Sequence, residues 1–239
     1  MPYFLAGRIL VAGESFELTG EEAQHAASSR RIREGELLSL QDPEGRRFRV
    51  VVEGGGRRLR VKVLEPEAVP PLPPRRVTLL QAAAKAKAAE LIVQKCTELG
   101  VAQLEFFPAA YSTVAQRELQ DPKTLSRWER IAWEACKQCG RQFPPPIRIV
   151  PDLAVALSVA AGSDRRWLLD AAGGTPAHAI PNPRSAEESL CILVGPEGGF
   201  TPEEISQAHG AGFESLSLGS LTLRAETAAL AACTLALFG

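Results

Sequence analysis

Two glycine-bearing stretches near the C-terminus hold the residues best suited to chemistry. In the first, LVGPEGGFTPEE (residues 193–204), an apolar strand runs into Val194, Gly195, Pro196, Glu197, Gly198 and Gly199, and a helix start follows at once. Glycines there let backbone approach a ligand closely. Thr201 as N-cap, Pro202 at the first helical position and Glu204 three residues after the cap make a full capping box. In the second stretch, LSLGSLTLRAETAALA (residues 216–231), Leu218 and Gly219 end a strand. Leu221 and Leu223 line a short apolar loop, and Arg224, Ala225, Glu226 and Thr227 open a last helix. Apolar loop side chains beside free backbone amides suit an adenine ring.

The first loop is neither G-x-G-x-x-G nor G-x-x-x-x-G-K-[ST], so the dinucleotide and P-loop fingerprints are not met. A helix start favours an anion, but Glu197 opposes one. A carboxylate about 4 Å from a phosphate charge costs roughly 4 kcal/mol at an effective dielectric near ~20. The loop therefore favours a ligand without phosphate, carrying hydroxyls or a positive charge. S-adenosylmethionine, with ribose hydroxyls and a sulfonium, has that chemistry. Glu226, near a helix start, also suits plain dipole compensation.

These residues need a sheet to bring them together. From residue 77 onward, strand and helix patterns alternate. VTLLQA, QLEFFP, IRIV, RRWLLD, LCILVG and FESLSLG read as strands, several of them continuously apolar as parallel strands are. Between them, KAKAAELIVQKCTEL reads as a helix with Leu91, Ile92, Cys96 and Leu99 inward, closed by Gly100. Asp121 and Pro122 start another helix, which stops at Gly140, and Asp152 is a further N-cap. The alternation means an α/β fold with a mainly parallel sheet, in which ligands bind at the carboxyl ends of strands.

Before this lies LEPEAVPPLPPRR (residues 64–76), whose proline density reads as a semi-rigid linker and a domain boundary. The expected domains are 1–70 and 75–239. The N-terminal segment is β in pattern. RRFRVVVEGGGRRLRVKV (residues 46–63) forms a hairpin with Phe48, Val50, Val52, Leu59, Val61 and Val63 on one face. The other face carries Arg47, Arg49, Arg58, Arg60 and Lys62, and Arg30, Arg31 and Arg33 stand upstream. A small barrel with a basic face suits phosphate contacts that position a nucleic acid without reading its sequence. A solvated strand face beside acidic neighbours explains the same pattern.

The chain of 239 residues is 45% hydrophobic and 23% charged, with a formal net charge of -1, so bulk charge does not decide for or against nucleic acid. The longest apolar run, AALAACTLALF, falls well short of the ~18 residues that suggest a membrane span. No basic leader precedes an apolar core at the N-terminus, and a soluble, cytoplasmic protein is expected. The scattered Cys96, Cys136, Cys139, Cys191 and Cys233 do not suit a disulfide framework. CKQC sits late in a helix, away from the helix start a redox pair needs, and reads as small buried residues. His25, His178 and His209 are too dispersed for a metal site. His25 reads as structural or RNA-facing rather than as a general base.

The two glycine stretches together resemble the bacterial 16S rRNA (uracil-N3)-methyltransferases of the SPOUT class. QKCTELGV (94–101), EACKQCGRQ (134–142) and HAASSRRIREGE (25–36, with His25, Arg31 and Gly35 in register) resemble further blocks of that family in the same order. Two positions depart: Ala225 stands where threonine is usual, and Lys137 where an acidic residue is usual.

The resemblance implies a C-terminal trefoil-knot domain and an N-terminal PUA-like β-barrel. It implies S-adenosylmethionine held by residues 195–199 and 218–227, a homodimer, and one uridine of 16S rRNA as substrate, within the assembled small subunit. The cofactor-binding expectation covers Val194, Gly195, Pro196, Glu197, Gly198, Gly199, Leu218, Gly219, Leu221, Leu223, Arg224, Ala225 and Thr227. For catalysis, Arg224 or Arg141 would stabilise charge on uracil oxygens, and Glu197 or Glu226 would accept a proton or hold the ligand. The expected RNA backbone contacts are Arg8, Arg31, Arg47, Arg49, Arg58 and Arg60. Two rival readings are a non-catalytic rRNA-binding assembly factor and a nucleotide-dependent oxidoreductase. The complete glycine loop argues against the first, and the missing fingerprint against the second.

Overall fold

The fold was described from a computed structural model covering residues 3–20, 22–23, 32–54, 59–114, 116–170, 173–179 and 187–239. His25, Arg30, Arg31, Arg58 and the side chain of His178 lie outside the described residues. The chain divides into two compact units, one of residues 1–71 with 136–143, the other of residues 72–135 with 144–239.

The first unit is a five-stranded sheet. Its strands are β1 (Phe4–Leu5), β2 (Ser15–Leu18), β3 (Leu37–Gln41), β4 (Arg47–Gly54) and β5 (Leu59–Glu67), in the order β1-β3-β4-β5-β2. The alternation of the hairpin is realised. Phe48, Val50, Val52, Leu59, Val61 and Val63 are all buried and share a core with Phe16, Leu18 and Leu40. Residues 64–67 are strand rather than linker: Glu65, Pro66 and Glu67 pair with Arg49, Phe48 and Arg47. Proline fits there because β2 pairs with β5 only as far as Lys62, so the other edge at Pro66 has no ladder to supply.

Arg47 is buried in the first unit rather than presented on its surface. It lies on the face opposite the apolar one, as alternation requires, but residues 140–142 cover it and it is only 3% exposed. Its guanidinium donates to Gln41 Oε1 at 2.9 Å and to the Gly140 carbonyl at 3.1 Å, and lies 4.0 Å from the centre of the Tyr3 ring. It therefore serves the interior of the unit. Gln41 Nε2 donates to the Gln142 carbonyl at 2.7 Å and Tyr3 Oη to the Arg141 carbonyl at 2.8 Å, which tie the same segment in.

The second unit is a seven-stranded sheet with helices on both faces, in the α/β class expected. Its strands are β6 (Arg76–Ala82), β7 (Gln103–Phe107), β8 (Ile147–Ile149), β9 (Arg165–Leu169), β10 (Thr175–Pro176), β11 (Ser189–Val194) and β12 (Glu214–Ser217). They run in the order β10-β12-β9-β11-β6-β7-β8, with every pairing parallel. Helices α1 (Ala86–Leu99), α2 (Gln116–Leu119), α3 (Pro122–Cys139), α4 (Leu153–Val159), α5 (Pro202–Gly210) and α6 (Ala225–Phe238) intervene.

One core joins Leu79, Phe106 and Ile192 of the sheet to Ile92 and Cys96 of α1, Trp128 of α3 and Ala229 and Cys233 of α6. The other joins Leu80, Cys191 and Leu193 to Leu157 of α4 and Ala208 of α5. Burial on both faces is why LCILV reads as an unbroken apolar run.

Local signals set the helix ends. Gly100 closes α1 with φ 93°, a left-handed conformation glycine adopts without penalty. Asp152 accepts from Val155 N at 2.9 Å to cap α4. Leu91 departs from expectation. It is 37% exposed, and Val93 and Ala89 pack inward with Ile92 instead. Residues 91 and 92 lie about 100° apart around a helix, so apolar character alone did not fix which faced the sheet. Cys139 also departs: Cys136 is buried, but Cys139 is exposed. No described helix is long and apolar enough to cross a membrane.

Candidate functional site

Parallel pairing of β12, β9 and β11 brings their carboxyl ends side by side. Asp170 therefore sits near Gly195 and Leu218, although their sequence separation is large. The loops leaving these ends enclose a cavity of about 550 Å³, within the ~300–1,000 Å³ usual for small-ligand sites. Of the expected cofactor residues, Val194, Gly195, Pro196, Glu197, Gly198, Gly199, Leu218, Gly219, Leu221, Leu223, Arg224 and Ala225 all line it. Thr227 does not. Ala225 and Ala228, three residues apart, turn the same side of α6 to the cavity, and Thr227 falls on another side, exposed. Asp170, with Leu168 and Leu169, lines the cavity without having been expected. Its signal was available, since it closes the apolar run RRWLLD at a parallel strand's carboxyl end.

The glycine loop is a tight turn in which Gly199 N donates to the Pro196 carbonyl at 3.0 Å. Gly199 has φ 73°, a conformation that disfavours a side chain. Gly198 is small for a different reason: a Cβ there would lie 2.9 Å from Tyr111 Cβ. Gln81, fully buried, donates Nε2 to the Gly195 carbonyl at 3.3 Å and steadies the loop from below. Phe200 stacks on Phe107 with ring centres 6.4 Å apart.

The start of α5 is closed to an anion by its own residues. Glu204 N donates to Thr201 Oγ1 at 3.2 Å, and the Glu204 carboxylate accepts from Thr201 N at 2.9 Å. Glu203 adds a second acidic side chain to the first turn. The cavity itself holds two carboxylates, Asp170 and Glu197, against one cation, Arg224. Phosphate would meet occupied amides and repulsion, whereas a cationic, hydroxyl-bearing ligand meets complementary charge.

Arg224 is the N-cap of α6 and is highly exposed, with Nη1 3.9 Å from Glu226 Oε1. Glu226 is not part of the cavity wall. Arg141 belongs to the first unit, where it is buried and donates Nε to the Phe143 carbonyl at 2.7 Å. Burial lowers the pKa of its guanidinium. Arg8, Arg49 and Arg60 are exposed, and each faces a carboxylate: Glu14 at 3.2 Å, Glu65 at 3.4 Å and Glu53 at 3.4 Å. Lys137 is joined to Glu22 at 2.7 Å.

The profile of the RNA methyltransferase domain matches residues 71–237. Ribosomal RNA small subunit methyltransferase E of Mycobacterium bovis is 38% identical over 220 residues, spanning 89% of this chain and 82% of that protein. The chain belongs to the ribosomal RNA small subunit methyltransferase E family. A crystal structure of a methyltransferase E from Neisseria gonorrhoeae bound to S-adenosyl methionine superimposes with a TM-score of 0.83. It is 28% identical, with 98% of this chain and 95% of that one covered. A methyltransferase from Legionella pneumophila in complex with bound SAM gives a TM-score of 0.84 at 29% identity, covering 98% of this chain and 96% of that one. In this methyltransferase E chain Arg47 is buried, Thr227 lies off the cavity wall and Asp170 lines it.

Proposed function

We propose that this chain transfers the methyl group of S-adenosylmethionine to N3 of one uridine in 16S rRNA. The observation that carries the reading is the cavity at the ends of β9, β11 and β12. It combines glycine backbone, apolar loop residues and an excess of carboxylates, beside a helix start already capped by its own side chains. Leu218, Leu221 and Leu223 offer the apolar wall for adenine, and Asp170 and Glu197 offer partners for ribose hydroxyls and a positive charge. When bound, S-adenosylmethionine supplies an electrophilic methyl group.

The chain's own residues must do three things. They hold the uracil ring in line with the donor. They stabilise the negative charge that develops on the uracil oxygens as the N3 proton leaves. Arg224 takes that role in this reading, supported by its position in the cavity wall and its exposure, and Arg141, buried in the first unit, is the less favoured of the two. They also receive the N3 proton, and Glu197 or Glu226 takes that role.

The wider reading has residues 1–70 as a PUA-like RNA-binding domain and 75–239 as a SPOUT methyltransferase domain with a trefoil knot. Arg8, Arg49 and Arg60 would exchange carboxylate partners for phosphates of rRNA in the assembled subunit, in the cytoplasm. The homodimer is supported by α6, whose outer side carries Thr227, Ala231, Leu235 and Phe238, the last two exposed apolar residues at helical spacing. A helix apolar nearly all round is normally covered.

The test is calorimetric titration with S-adenosylmethionine, with NAD as control, followed by methyl transfer to small ribosomal subunits and mapping of the modified base. Saturable binding of S-adenosylmethionine alone and one N3-methyluridine are expected. Absence of both, in folded protein with an empty site, would move the reading to a non-catalytic assembly factor.

A further inference from the structure

Tyr111 explains why residue 198 is small, but its own ring has no role in the site as described. It lies in the loop after β7 and is 53% exposed. The loop is nevertheless held firmly. Ala109 N donates to Ser112 Oγ at 3.0 Å, Ser112 N to the Ala109 carbonyl at 3.0 Å, and Ala110 N to Glu204 Oε1 at 2.8 Å. Glu204 is the same carboxylate that caps α5, so this loop and the glycine loop share one anchor. Gly198 then brings them into contact: its missing side chain leaves room for Tyr111, whose Cβ lies 2.9 Å from where a Cβ would stand. Gly198 is also part of the cavity wall. Its glycine is not required by a positive φ, so the close approach to Tyr111 is what asks for it. A half-exposed aromatic side chain is thus held against a loop of the cavity wall.

We propose that Tyr111 is the stacking platform for the nucleobase that accepts the methyl group. This rests on the methyltransferase reading. An unpaired base bound for chemistry must leave its own stack, and an exposed aromatic face replaces that stacking. The ring has a hydroxyl that stacking does not need, which separates this role from acid–base chemistry.

The experiment measures steady-state methylation of small ribosomal subunits by wild-type, Tyr111→Ala and Tyr111→Phe, with titration of S-adenosylmethionine and the oligomeric state of each. Wild-type turnover is the control for the underlying reading: without it, that reading fails, whatever the variants do. With it, Tyr111→Ala should lower kcat/KM for subunits by between about fivefold and about 150-fold, the equivalent of base–aromatic stacking at roughly 1–3 kcal/mol. Tyr111→Phe should stay within about twofold of wild-type, and S-adenosylmethionine affinity should be unchanged in both. The proposal is overturned if Tyr111→Ala keeps full kcat/KM. It is equally overturned if Tyr111→Phe falls with it, if donor affinity falls in parallel, or if the loss follows dissociation into monomers.

Discussion

The carboxylate of Glu204 accepts the backbone N–H of Ala110 at 2.8 Å, across 94 residues of sequence, while its other oxygen accepts from Thr201 N. One side chain thereby fixes a helix start beside the cavity and the loop after β7.

Glutamine cannot replace it. Both partners are N–H donors, and an amide has only one oxygen to offer. Glu204→Gln should lower stability by about 1–2 kcal/mol and weaken S-adenosylmethionine binding, with Glu204→Ala losing more. Thermal unfolding and titration calorimetry read the two effects. Unchanged donor affinity in both variants would separate the cap from the cavity.

Gly198 and Gly199 are small for different reasons, and alanine should distinguish them. At Gly199, with φ 73° and nothing within 4 Å, the cost is backbone strain of about 1–2 kcal/mol. At Gly198 the added methyl meets Tyr111. Combining Gly198→Ala with Tyr111→Gly, which removes that Cβ, should therefore restore donor affinity toward that of Tyr111→Gly alone. The same second change should do nothing for Gly199→Ala.

Removing the Arg47 side chain should destabilise the first unit by about 2–3 kcal/mol, because two acceptors lose a charged, buried donor. Removing Arg49, exposed beside Glu65, should change stability by less than about 0.5 kcal/mol. Urea unfolding midpoints give the comparison. Equal effects would mean that Arg47 is not part of the interior.

Of the five thiols, Cys139 should react alone and fast with a disulfide reagent at pH 8. Burial pushes the Cys136 and Cys191 thiols up to about 12, so both stay protonated and shielded there. The hydrogen bond with Cys233, together with burial, raises Cys96 well above its ordinary value. Two fast thiols in folded protein would contradict the burial of one of Cys96, Cys136, Cys191 and Cys233.

Asp164 accepts from Ser189 Oγ at 2.7 Å and Ser189 N at 2.8 Å, which holds its carboxyl below the ordinary 3.8. A depressed carboxylate pKa stabilises the fold above the unfolded value and loses that effect as pH falls through the folded one. The Tm difference between wild-type and Asp164→Asn should be widest near neutral pH and close below pH 3.8. A gap that persists in acid would assign the stabilisation to something other than the charge.

Local chemistry made much of this legible in advance. Thr201, Pro202 and Glu204 announced α5, Gly100 announced the end of α1, and the unbroken apolar runs announced a sheet covered on both faces. The glycine loop and the apolar loop pointed to one ligand because strand ends in such sheets gather. The end of RRWLLD marks Asp170 as lying at a strand's carboxyl end, but that this end joins the same cavity depends on β9 lying between β11 and β12, a non-local property of the sheet. The face of Arg47 was read correctly, but its burial was not, since the covering segment comes from residues 140–142, almost a hundred positions later. Leu91 and Ile92 are chemically alike, so only the packing against the sheet distinguished them. The helical face of Thr227 is another such case: the apolar character of α6 is so even that no stripe marks the side turned to the cavity.

Residues 136–143 group with the N-terminal strands, and hydrogen bonds from Tyr3, Gln41 and Arg47 end on them. A gene cut at the proline-rich segment would therefore yield an amputated module, in which the donors of Tyr3, Gln41 and Arg47 lose the carbonyls of residues 140–142. The first unit is not a cassette that can be moved between proteins by joining at residue 71. Shuffling it would require carrying along an octapeptide encoded in the middle of its neighbour, so the two halves of this chain have to be inherited together.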